Sequence, residues 1–468
     1  WAYFNAVRIY GKVPYIWPSL TTVEEILEYV NTDSEFIDTV QIIFKPDGYY
    51  NDTIIDTITL ERTFFDLDAV VDTFTTQLEN KIKAVGVIHN LTNNDQSWEV
   101  TVWNKFAMHC LLGQMYLFQG DLTKAEANFY HIMYYSDPEA AGVLRYGLDQ
   151  RFATSKWRNI FTSIDINEHI FTIWFGKSFQ QQHNLQKLFS KIPPNTYMLK
   201  PTKIAIDYWE TIWDGVDINV NSNDPAMTEV EEPGKPGDFY RGYNVSYSYL
   251  EGEEEMLVVD VKRMLELKRK GFVKEYRTMM ENVDTVIHKY TFNKSPFDQD
   301  RHFPVFRAAS IHLYYAEIYA RWWFDHNGII RPEVIKSLNI LNDGSYNSNP
   351  DQKGVRGRVG FGDRDDAVTV GNIIYVHDPV TNKIKGWLNY TANLKAKQEY
   401  IEDKILDERA RELAFEGERF YDLMRIAKRR NDPSYLADRV AAKFQGQKTE
   451  QIREFLMIEE NWYVPFFE

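Results

Sequence analysis

The stretch Trp103-Asn104-Lys105-Phe106-Ala107-Met108-His109-Cys110-Leu111-Leu112-Gly113-Gln114-Met115-Tyr116-Leu117-Phe118-Gln119-Gly120-Asp121-Leu122-Thr123-Lys124-Ala125-Glu126-Ala127-Asn128-Phe129 reads as two amphipathic helices joined at a sharp corner. Gly120 closes the first helix and Asp121 caps the second, so Trp103 to Pro138 forms a helical hairpin. Leu112, Gly113, Tyr116, Ala125 and Phe129 fall at the spacings of a tetratricopeptide repeat. Small Gly113 and Ala125 let the two helices approach closely, while Tyr116 and Phe129 fill the gap to the next repeat.

Working outward, a second hairpin is expected from Phe306-Arg307 through Leu313, Ala316, Tyr319 and Ala320, resuming at Val334 to Leu341. A third helical block spans Ile401 to Arg430. A first block joins Trp1 to Tyr10 with Thr22 to Val30, where Thr22 caps Glu24 and Glu25. The run Ile170 to Phe175 ends at Gly176, as expected of a buried strand or a short core segment. Most of the Gly and Pro punctuation falls in residues 176–304. The fold class is therefore mostly α, a tetratricopeptide-like helical-hairpin scaffold over residues 1–140 and 305–468 with a loop-rich, irregular insertion at 141–304.

The 468 residues are enough for a large core, and a net charge of −15 sets a repulsive field against nucleic acid and anionic lipid. Aromatic residues make up 15%, which supplies stacking surfaces as well as packing. The lone Cys110 excludes a disulfide framework and a cysteine metal site, and no metal, cofactor or phosphate-loop motif is present.

Between Ile401 and Arg430 an apolar stripe of Leu406, Ala410, Leu413, Gly417, Phe420, Met424 and Ala427 is expected on one continuous helix. Its other sides interleave acids and guanidiniums, with Asp407–Arg411 and Glu416–Arg419 at pairing distance. Such a pattern suits a charge network that locks neighbouring loops. A glycosidase would instead need an acid in an apolar pocket, apart from any cation.

The run from Asp407 to Arg425, Asp-Glu-Arg-Ala-Arg-Glu-Leu-Ala-Phe-Glu-Gly-Glu-Arg-Phe-Tyr-Asp-Leu-Met-Arg, closely resembles the C-terminal signature of the SusD/RagB family. Further matches are Tyr10-Gly11-Lys12-Val13-Pro14, His288-Lys289-Tyr290, Pro304-Val305-Phe306-Arg307, Tyr315-Ala316-Glu317, Val355-Arg356-Gly357-Arg358 and Trp462-Tyr463-Val464-Pro465. The resemblance implies a non-enzymatic lipoprotein on the outer face of the outer membrane, anchored through a lipidated Cys upstream of Trp1. It also implies capture of an oligosaccharide, or in some members a peptide, for a SusC-like TonB-dependent barrel. By the same analogy the ligand face follows the 170–174 segment. Aromatic and amide side chains there suit sugar rings and hydroxyls: Phe179, Gln181, His183, Asn184, Tyr197, Tyr240 and Tyr243. Two other classes compete, a tetratricopeptide adaptor for protein partners and a glycoside hydrolase using acids of the 407–422 segment.

Overall fold

The computed structural model describes residues 1–15, 22–25, 39–44, 53–58, 64–85, 100–135, 145–148, 160–163, 166–175, 183–190, 194–195, 197–210, 241, 243–247, 255–256, 283–290, 301–321, 354–356, 375–377, 384–387 and 394–465. The chain divides into two compact units, Trp1–Glu79 with Ile458–Glu468, and Asn80–Met457.

In the first unit lie α1 (Ala2–Tyr10), β1 (Val13–Pro14), β2 (Thr39–Phe44), β3 (Thr53–Ile58), β4 (Phe64–Phe65) and α2 (Leu67–Lys81). Antiparallel β2 and β3 set Thr39 against Ile58, and their β-branched runs explain the pairing. The expected cap at Thr22 is a reciprocal capping box: Thr22 Oγ1 accepts from the Glu25 N–H at 3.1 Å, and Glu25 Oε2 accepts from the Thr22 N–H at 3.0 Å. Residues 26–30 lie outside the described residues. Two motifs from opposite ends of the sequence meet here. The Val464 N–H donates to the Ile9 carbonyl at 2.8 Å, and a Cβ on Gly11 would sit 2.9 Å from the Tyr463 ring. Gly11 also holds a φ of +74°, so close approach and backbone conformation both demand glycine.

The second unit opens with the expected hairpin, α3 (Lys105–Gln119) and α4 (Leu122–Met133). Gly120 takes φ 92° and ψ 4°, and the Asp121 side chain accepts from the Lys124 N–H. A Cβ on Gly113 would lie 2.3 Å from Phe129, so the missing side chain sets the helix separation. The Phe129 ring in turn stacks on Tyr314 at 5.6 Å and 4°. Cys110 is fully buried, and burial pushes its thiol well up.

Beyond the hairpin come β5 (His169–Ile173), α5 (Leu185–Phe189), α6 (Lys203–Glu210), β6 (Tyr243–Tyr247), β7 (Glu255–Met256), β8 (Val283–Ile287) and β9 (Phe303–Arg307). A buried helix, α7 (Ala308–Arg321), follows directly, with short strands β10 (Tyr375–His377) and β11 (Ile384–Trp387) after it. The C-terminal helices are α8 (Leu394–Glu412), α9 (Arg419–Arg430), α10 (Ser434–Ala441) and α11 (Gln447–Leu456). The described residues are mostly helical, as the hairpin pattern implies.

Two expectations need correction. Phe306 and Arg307 do not begin a helix; they end β9, which pairs antiparallel with β5 so that Phe171 faces Phe306. The 401–430 block is not one helix either. Phe415 (φ 64°) and Gly417 (φ 87°) break it after Glu412, because left-handed backbone cannot continue a right-handed helix. Residues 334–341, expected to complete the second hairpin, lie outside the described residues.

Candidate functional site

Three glutamates at steps of four, Glu408, Glu412 and Glu416, are buried at the end of α8 and in the turn beyond it. Four remote cations come to them. Arg307 engages all five of its N–H donors: Nε and Nη2 fork onto Glu416 at 2.7 and 2.8 Å, Nη1 reaches Glu412 Oε1 at 2.7 Å and Glu168 at 3.2 Å, and Nη2 also reaches the Glu412 carbonyl at 2.8 Å. Arg241 Nη1 bridges Glu408 at 2.6 Å and Glu412 at 2.8 Å, and Arg356 holds the other Glu408 oxygen at 3.1 Å. Lys289 donates to the Glu412 carbonyl at 2.8 Å and to Glu416.

A second knot ties α7 to α9. Arg425 forks onto Glu317 at 3.2 and 2.6 Å and reaches Asp422 at 2.8 Å, while Arg409 takes the other Asp422 oxygen at 2.8 Å over the Tyr314 ring. Arg429 and Arg430 close on Glu402. The expected Glu416–Arg419 pair is thus replaced: Glu416 turns inward to Arg307 and Lys289, and Arg419 donates to the Leu406 carbonyl. Sequence spacing reads neighbours along one helix, whereas low-dielectric burial selects partners from other elements.

Two of these carboxylates are held as anions. Burial pushes Glu317 upward, but Arg425 and Arg429 outweigh it and hold the group at about 2. Glu416 is likewise lowered, burial being outweighed by Arg307 and Lys289. Desolvation brings Lys289 down to about 8 against the pull of Glu416. A glycosidase acid needs the opposite shift, so these two glutamates do not fit that role.

The frame bears on the expected ligand segment through one turn. Lys289 and Tyr290 belong to a 3₁₀ turn, His288–Tyr290, following β8. Tyr290 donates its hydroxyl to the Phe415 carbonyl at 3.2 Å and stacks on Phe189 of α5 at 5.0 Å. Leu185 and Leu188 pack on the same cluster, formed by Ile160, Phe161, Phe189, Ile287 and Tyr290. The chain then returns alongside α5, with the Tyr197 N–H on the Ser190 carbonyl and the Leu199 N–H on the Leu188 carbonyl, both at 2.9 Å.

Three of the expected ligand residues share this segment. His183 Nδ1 accepts from the Leu185 N–H at 3.0 Å, which leaves the proton of a neutral ring on Nε2, and its ring meets Phe175 edge-on at 4.7 Å. Asn184 is exposed at the α5 N-terminus, without a side-chain cap bond. Tyr197 is half-buried at φ 20°, with Lys200 Nζ 5.5 Å from its ring. Tyr243 pairs with Ile287, immediately before the 3₁₀ turn. Phe179, Gln181 and Tyr240 lie outside the described residues.

Arg241, between the expected ligand residues Tyr240 and Tyr243, is wholly buried in the network. The four-residue stepping of Glu408, Glu412 and Glu416 was the available signal that matching cations must come from elsewhere. No described helix is long and apolar enough to cross a membrane.

Residues 262–466 match the model of the SusD family. No curated protein matches the chain. Among solved structures, a SusD superfamily protein from Bacteroides vulgatus ATCC 8482 is similar at 14% identity and a TM-score of 0.52, over 96% of this chain and 68% of that one. A SusD-like protein from Bacteroides fragilis NCTC 9343 is similar at 15% identity and a TM-score of 0.48, over 91% and 66%. A SusD-like carbohydrate binding protein from the same strain is similar at 16% identity and a TM-score of 0.48, over 92% and 66%. The chain spans about two thirds of the length of these solved structures.

Proposed function

We propose that this chain, whose residues 262–466 match the SusD family model, is a cell-surface glycan-binding protein of that family. It captures an oligosaccharide and delivers it, as a lid, to a SusC-like TonB-dependent barrel. Attachment to the outer face of the outer membrane is through a lipid anchor upstream of Trp1. The observation that carries this reading is the coincidence of the family match with the buried frame: Lys289, Arg307, Glu408, Glu412 and Glu416 all fall inside the matched residues, and Tyr290, next to Lys289, braces α5 through Phe189. A frame of mutually neutralised charges rigidifies without reacting.

The segment it braces suits a neutral polyol. The rings of Phe175, His183 and Tyr197 offer faces and edges to the C–H surfaces of sugars, and Asn184 offers an uncharged donor and acceptor. The net charge of −15 disfavours polyanionic ligands.

Titration calorimetry of the purified chain against maltohexaose, cellohexaose, laminarihexaose and a set of short peptides tests the ligand class. Binding of at least one glycan is expected. Binding of peptides alone would replace the glycan reading with peptide capture. Co-purification of a barrel from outer membranes tests the partner, and recovery of only soluble proteins would favour the adaptor reading.

A further inference from the structure

Gln186 sits in α5, is 2% exposed, and neither its Oε1 nor its Nε2 has a hydrogen-bond partner among the described residues. A primary amide can make four hydrogen bonds, and burying all of them unmade is strongly unfavourable. Leu185, Leu188 and Phe189 turn to the core cluster. At about 100° per residue, Gln186 falls on the flank of that face, where an apolar side chain of equal length would pack without cost. A second orphan directly follows β5. Trp174 Nε1–H is buried without an acceptor among the described residues, and its ring lies 5.8 Å from His302. The neighbouring Phe175 donates its N–H to His302 Nδ1 and meets His183, whose Nδ1 accepts from Leu185.

We propose that Gln186 is a specificity-determining residue that reads adjacent hydroxyls of the bound oligosaccharide. The proposal rests on the glycan-binding reading. An amide presents one acceptor and one donor side by side, and a vicinal pair of sugar hydroxyls is its complement. Both orphans are uncharged, which matches a neutral sugar. Helix α5 is held by Phe189 on Tyr290 at its far end but has no side-chain cap at Asn184. Engagement of the amide requires the first residues of α5 to move aside as the ligand binds.

Gln186→Met keeps the shape and removes the amide. Its melting temperature is expected to equal or exceed that of the wild type, while affinity for whichever of maltohexaose, cellohexaose or laminarihexaose the wild type binds falls about tenfold or more. Monodeoxy analogues of that glycan should weaken wild-type binding at one ring position and leave binding to Gln186→Met unchanged at the same position. A lowered melting temperature with affinity retained, or equal sensitivity of both proteins to every deoxy position, overturns the proposal. Wild-type binding that the variant retains in full sinks this inference alone, whereas a wild type that binds no glycan removes the glycan reading and this inference together.

Discussion

Arg307 has no spare N–H donor, and the three carboxylates around it are buried. Arg307→Ala would strand those anions, and a loss of about 3–5 kcal/mol is expected in urea denaturation. Glu317 gives the network a pH signature. Its folded pKa of about 2 lies below the ordinary 4.5, so the group contributes stability in full above pH 4.5 and loses it as pH falls toward 2. The shift corresponds to about 3 kcal/mol. Glu317→Gln should therefore show a flatter fall in stability between pH 4.5 and 2 than the wild type, and parallel curves would count against this assignment. At Gly113 two effects oppose each other. Helix propensity favours Ala by about 1 kcal/mol, yet a Cβ 2.3 Å from Phe129 forces overpacking that costs about 1–3 kcal/mol. So close a contact lets the clash win, and Gly113→Ala should lower the denaturation midpoint.

Among the elements, the α3–α4 hairpin was legible because its signals are local. Gly120 has open space around it, so Gly120→Ala tests backbone conformation alone, with about 1 kcal/mol of destabilisation expected from its φ of +92°. Asp121→Ala should cost about 1 kcal/mol through the lost bond to the Lys124 N–H. Additive losses in the double variant would mark the two as independent, whereas strong coupling would mean the corner reorganises as one. The 401–430 block was misread for an equally physical reason. Leu413 and Ala414 continue a helical pattern, and helix-forming residues do not reveal that Phe415 adopts φ 64°. That conformation is held by contacts distant in sequence, the Tyr290 hydroxyl on the Phe415 carbonyl and Lys289 on the Glu412 carbonyl. Strand β9 is a similar case, since Phe303 to Arg307 takes its strand form from pairing with β5 more than a hundred residues earlier.

For the molecule as a whole, the frame and the proposed ligand segment should separate on mutation. Glu416→Ala removes the acceptor shared by Arg307 and Lys289 and is expected to lower thermal stability more than glycan affinity. Phe179→Ala is expected to do the reverse, and matched losses of affinity from both with stability intact would refute the division. Much of the family likeness was legible because the Asp407–Arg425 run is dense in charge at fixed spacing. What the remaining motifs do was not: Lys289, Arg307 and Arg356 are separate in sequence and converge on three glutamates only in the folded chain. By itself the amino-acid sequence determined the α3–α4 hairpin and its corner at Gly120-Asp121, since propensity and capping act within a few residues. Only the tertiary structure decided which cation meets which carboxylate, where α8 ends and that Gln186 is buried unpaired. Those outcomes depend on desolvation and on partners that chain order does not encode.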